Sequence, residues 1–112
     1  MSRNKGNRAG EWVAEYLRRW YRNAEATPNS RHGRDVLGTP GIVVEVKTEV
    51  VWRHKWLAQV LGYASDGELP FIVYMPPGCG AGQVGDALAV LPLRLLMPAL
   101  VDAGYAPEPE GS

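Results

Sequence analysis

Apolar residues recur along this chain at two different periods, and the changes between them mark out its elements. Trp12, Val13, Tyr16, Leu17 and Trp20 fall on one face at helical spacing, which predicts an amphipathic helix over residues 10–24. Glu15 can pair there with Arg18 and Arg19, three and four positions on. Residues 1–9 are polar and basic and read as a flexible arm or a lead-in to that helix, and residues 25–34 as a turn-rich loop. The period then shortens. Val36-Leu37, the turn Gly38-Thr39-Pro40-Gly41 and the β-branched run Ile42–Lys47 predict a strand, a tight turn and a second strand. Ile42, Val44 and Val46 then point to the core, while Val43, Glu45 and Lys47 share the opposite face.

Helical spacing returns with Trp52, Trp56, Val60 and Tyr63, predicting a helix over residues 52–64, followed by a turn at Ser65-Asp66-Gly67-Glu68. Residues 69–75 are apolar enough for a strand buried on both faces. The glycine-rich stretch 76–82 lacks the Gly-Lys-Ser/Thr of a phosphate cradle and reads as a mobile surface loop. Residues 86–91 predict another strand and 93–103 a final helix. Pro92 suits its first turn, Pro98 should kink or shorten it, and Gly104 is a candidate C-cap. The pattern describes one α/β domain over residues 1–105, with residues 106–112 a disordered acidic tail.

Composition changes this picture in one respect. The 112 residues carry no net charge, but residues 1–55 hold eleven Lys/Arg against six Asp/Glu, and residues 56–112 hold Arg94 alone against six. The first half is therefore a basic surface suited to phosphates. No apolar run approaches the ~20 residues of a membrane span, and no signal-peptide pattern opens the chain. The single Cys79 excludes an internal disulfide, so a reducing, cytoplasmic setting is expected and no membrane partner.

The candidate chemistry lies in the hairpin. Glu45 and Lys47 stand two residues apart on one strand face, and the turn brings the Asp35 end of the partner strand towards them. Two carboxylates beside a lysine suit a hard divalent cation, Mg²⁺ or Mn²⁺, which takes oxygen ligands and keeps several waters. Such an ion polarises a phosphodiester and lowers the pKa of a bound water, and the lysine orients that water or offsets developing charge. Candidate phosphate contacts are Arg3, Lys5 and Arg8 near the start, Arg31, His32 and Arg34 before the first acid, and Arg53 and Lys55 near the second helix.

Asp35, then Glu45-Val46-Lys47 as acid-x-lysine, resembles the PD-(D/E)xK nuclease superfamily. The closest likeness is to small phage or prophage endonucleases of the Holliday-junction-resolvase type, and Lys5-Gly6 matches the start of their signature. The resemblance implies a restriction-endonuclease-like fold, a mixed β-sheet flanked by α-helices. It implies a Mg²⁺-dependent endonuclease cutting duplex or branched DNA in a bacterial or phage-infected cell, possible as a homodimer and with no organic cofactor. Asp35 and Glu45 would hold the metal, assisted by the Val46 carbonyl, and Lys47 would position the nucleophile. The sequence departs from the family at Gly10, where a helical glutamate is expected; Glu11 or Glu15 is the substitute, or neither. Gln59 and Tyr63 resemble the Gln-x-x-x-Tyr of RecB-type nucleases, which implies a catalytic role for Gln59. Two other readings stay open: a nuclease acting on ends or single strands, and a DNA- or protein-binding module that has lost activity.

Overall fold

The fold was taken from a computed structural model, which describes the backbone of residues 2–27 and 34–111 and the side chains of residues 8–27 and 34–111. The order is α1 (Ser2–Leu17), β1 (Glu25–Ala26), β2 (Val36–Leu37), β3 (Ile42–Lys47), α2 (Lys55–Tyr63), β4 (Leu69–Tyr74), a 3₁₀ helix (Ala81–Asp86), β5 (Leu88–Val90) and α3 (Leu93–Asp102). The α/β class expected from sequence is what the chain adopts. β3 and β4 are parallel, with Ile42 opposite Leu69 and Lys47 opposite Tyr74, and β5 runs antiparallel to β4. β1 and β2 form a separate antiparallel ladder, so β2 pairs with β1 and not, as the expected hairpin required, with β3.

The three-stranded sheet is covered on both faces, and the alternation along β3 decides which residue meets which helix. Val44 joins Ala9, Val13 and Ala14 of α1 in one core; Val43 joins Ile72 of β4 and Trp56 and Val60 of α2 in another. The alternation is as expected, but the Val43–Glu45–Lys47 face is roofed by α2 and is not an open surface. A parallel β3–β4 pair requires a crossover connection, and α2 supplies it.

Several boundaries differ from the sequence reading. α1 begins at Ser2 and ends at Leu17, so the segment read as an arm is helical; its small residues Ala9 and Ala14 are buried, and packing outweighs two internal glycines. Trp20 consequently lies beyond the helix and is 64% exposed, stacked only against Tyr16 at 5.5 Å. Part of the expected loop before Asp35 is β1, paired with β2. α2 starts at Lys55 rather than residue 52, and Tyr63, the last residue of the helical repeat, is 38% exposed. Part of the supposed mobile loop and the residues after it coil into the 3₁₀ helix, which is anchored by buried Val84 and packs on α1, while the Cys79 thiol donates to the Gln83 carbonyl.

α3 continues through Pro98. It closes as expected at Gly104, φ +88°, with Gly104 N–H donating to Val101 O and Tyr105 N–H to Leu100 O. The acidic tail, expected to be disordered, turns back along α3: Ala106 N–H also donates to Leu100 O. Among the described residues no helix is long and apolar enough to cross a membrane.

The turn between β2 and β3 gives a stability test. Gly38 and Gly41 both have positive φ, +79° and +97°. A Cβ on Gly38 would lie 2.2 Å from the Asn23 carbonyl oxygen, whereas one on Gly41 meets nothing within 4 Å. Gly41→Ala should therefore cost only backbone strain, about 1–2 kcal/mol. Gly38→Ala should cost clearly more, because the 18–24 segment must also move. Urea unfolding of the two variants checks the order.

Candidate functional site

Asp35 sits where the chain passes from the β1–β2 ladder to the edge of β3. Its N–H donates to Val44 O (3.2 Å), and its Oδ2 accepts the Val46 N–H at 2.6 Å. Its own carbonyl accepts from Thr27 N–H at 2.9 Å, tying the same residue to β1. The Asp35 carboxylate thus stands where a neighbouring strand would place a carbonyl. Gly41 O and Lys47 O accept from β4, so by strand alternation Val44 and Val46 present their backbone groups to the opposite edge. The Val46 carbonyl faces the Asp35 side for that reason.

Glu45 is buried, 6% exposed, and its Oε1 lies 3.7 Å from Lys47 Nζ. Its Oε2 is buried with no hydrogen-bond partner. Burial, and then the nearby negative charge of Asp35, push the Glu45 carboxyl up to about 7; Lys47 opposes the rise, and hydrogen bonding with Asp35 adds to it. The reason is direct: two ionised carboxylates repel and offer each other no donor, which a proton held between them or a cation would relieve. Lys47 is itself half-buried, its ammonium 5.4 Å from the centre of the Trp56 ring. Trp52 and Tyr74 meet Trp56 at 5.0 and 6.1 Å, which fixes the wall behind the lysine.

The structure therefore brings together Asp35, Glu45 and Lys47, and with them the Val46 carbonyl edge. It does not bring a third acid. Glu11 and Glu15 are exposed on α1, which covers the opposite, Val44 face of β3, and no group of three His, Cys, Asp or Glu among the described residues could hold a metal together. Gly10, where the resemblance expects a glutamate, is buried, and a Cβ there would meet Ala26 of β1. Gln59 is exposed on α2.

The expected phosphate contacts divide. Arg8 and Lys55 are exposed. Arg53 pairs with Glu49 at 2.9 Å on the surface. Arg34 is engaged: its guanidinium makes two hydrogen bonds to Glu68, 2.9 and 2.7 Å, and one to the Tyr63 carbonyl, clamping the approach to Asp35 onto the α2–β4 turn and lowering the Glu68 carboxyl. The side chains of Arg3 and Lys5, and all of Arg31 and His32, lie outside the described residues.

Two features of the site were missed in sequence. The helical repeat finds Trp56 but not its place beneath the Lys47 ammonium; an aromatic at the start of the helix after acid-x-lysine is the signal that points to it. The Arg34–Glu68 clamp joins residues 34 positions apart, and no local pattern announces it.

Two adjacent carboxylates, one with an orphaned buried oxygen, fit a divalent cation that takes two protein oxygens and completes its shell with water. No protein-family model, curated protein or solved structure matches the chain.

The acid pair has a consequence for stability. Between pH 4.5 and about 7 the folded chain keeps a proton on Glu45 that an unfolded chain has released. The stability should therefore fall as pH rises through that window, by up to about 3 kcal/mol in the absence of metal. Glu45→Gln should remove this fall, matching wild type near pH 4 and exceeding it at pH 8. Thermal unfolding of both proteins in chelator across that range measures the difference.

Proposed function

We propose that the chain is a metal-dependent DNA endonuclease whose site is Asp35, Glu45 and Lys47. The observation that supports this most is the buried acid pair itself. A carboxyl raised to about 7 beside a second acid, with an unpartnered oxygen, is a destabilising arrangement that a bound cation would relieve. Asp35 and Glu45 would hold a Mg²⁺ or Mn²⁺ ion, which would polarise the phosphate and make a bound water acidic near neutral pH.

The chain's own groups account for the rest. Val46 N–H fixes the Asp35 carboxylate in orientation. Lys47, 3.7 Å from Glu45 and backed by Trp56, would orient the attacking water and offset charge growing on the phosphate oxygens. The water would give up a proton to solvent as its oxygen bonds to phosphorus, the bond to the leaving sugar oxygen would break, and that oxygen would take a proton from solvent. The basic first half, with Arg8 and Lys55 exposed, supplies phosphate contacts. A restriction-endonuclease-like fold is part of this proposal, and a branched substrate is its more specific form.

A second reading has its own support. The third acid is absent from the pair, and one Asp35 oxygen is committed to the ladder. Both fit a DNA- or protein-binding module in which the acid pair is structural.

Cleavage of labelled four-way junction, linear duplex and single-stranded DNA with Mg²⁺ or Mn²⁺ tests the proposal. Wild type should cut at least one of them and stop in EDTA. Asp35→Asn and Lys47→Ala should each lower the rate about 10²-fold or more with the fold intact. Paired nicks on the junction alone would favour the resolvase form; DNA binding without any cutting would favour the binding module. Affinity for DNA should fall steeply between 50 and 200 mM salt in either case.

A further inference from the structure

α3 has a composition at odds with its surroundings. Eight of its ten residues are apolar, the pattern of a helix enclosed on all sides. Yet none of its residues is buried, and none belongs to either core. Leu93 is 68% and Met97 42% exposed. Among the described residues β5, immediately before α3, pairs with β4 alone and forms the edge of the sheet, and its Leu88 is 56% exposed. An open strand edge and an uncovered apolar helix adjoin in sequence, so one partner could close both.

The face has a shaped hollow. Met97, Pro98 and Val101 of α3 and the returning tail from Ala106 to Glu110 enclose a trough of about 640 Å³. Its apolar floor is rimmed by three acids, Asp102, Glu108 and Glu110, with no cation among its lining residues. What fits it is an apolar side chain next to a positive charge. The chain displays that pair on the same helix: exposed Leu93 followed by Arg94, the one Lys/Arg after residue 55.

We propose that a second copy of this chain docks on α3, with the two helices antiparallel about a two-fold axis near Pro98. At about 1.5 Å per residue, Arg94 and Asp102 lie about 6 Å on either side of Pro98 along the helix. A two-fold there brings Arg94 of each copy level with Asp102 of the other, on the same side of the pair. Leu93 of each copy comes level with Ala103 of the other, next to Asp102 in the trough wall. Each copy both fills a trough and offers one, as an isologous interface requires. This inference does not depend on the nuclease reading, and its test does not involve cleavage.

Light scattering and sedimentation from about 1 to 100 μM should give twice the 12.3 kDa chain mass at the upper end. Leu93→Asp and Arg94→Glu are surface changes, and circular dichroism confirms that each variant is folded. Each should raise the dimer dissociation constant about tenfold or more. Asp102→Arg with Glu108→Arg should do the same. Mixing that double variant with Arg94→Glu should restore association as a mixed dimer in which one of the two charge contacts is re-formed with its signs exchanged. A monomer throughout would overturn the proposal and leave the face to a different protein. A dimer indifferent to all three changes would overturn it too, by placing the contact elsewhere.

Discussion

The bond from Val46 N–H to the Asp35 carboxylate holds the β-structure and the acid pair in one arrangement. β3 pairs with β4 on one side only, and on its other side Asp35 supplies both a donor and an acceptor in place of a strand. An unmade backbone hydrogen bond at that edge would cost free energy, and an ordinary neighbour would meet it with a carbonyl. A carboxylate meets it here, which draws an acid to within interaction range of Glu45. The raised Glu45 carboxyl, its orphaned oxygen and the position of Lys47 follow from that arrangement. The Arg34 clamp and the Thr27 bond to the Asp35 carbonyl hold the chain on either side, so the acid has little freedom to turn away.

The same constraint explains how two helices can close a three-stranded sheet around buried charge. α1 covers the Val44 face and makes it wholly apolar. α2 covers the other face but brings Trp56 over Lys47, so the ammonium keeps an aromatic surface and a carboxylate for company in place of bulk water. The site is thus a polar seam between an apolar core and the edge of β3. α3 stands apart from both cores.

Much of this could be read in the sequence because it is local. Strand alternation separated Val44 from Glu45, turn chemistry placed Gly38 to Gly41, and the helical repeat found Trp56 and Val60. Asp35, Glu45 and Lys47 do converge, but not through the expected hairpin: β2 pairs with β1, and Asp35 reaches the β3 edge through one backbone and one side-chain hydrogen bond. What could not be read was set by distant packing. Ala9 and Ala14 extended α1 towards the N-terminus because they are buried against β-structure from later in the chain, and Trp20 fell outside because the helix stops at Leu17. Trp56 roofing a face that looked open, and Arg34 spent on Glu68, both depend on the crossover through α2. The absent third acid was half legible: Gly10 announced it, and only the fold shows Glu11 and Glu15 on the far side of the sheet from Glu45.

The central claim is that the acid pair is a cation site, and direct counting of bound Mn²⁺ by electron paramagnetic resonance tests it most closely. Wild type should bind one ion per chain near neutral pH, and Asp35→Asn and Glu45→Gln should each lose it, while Glu11→Gln and Glu15→Gln retain it. Equal binding by wild type and the two pair variants, or no binding by wild type, would contradict the account and leave the pair a structural feature of the β3 edge.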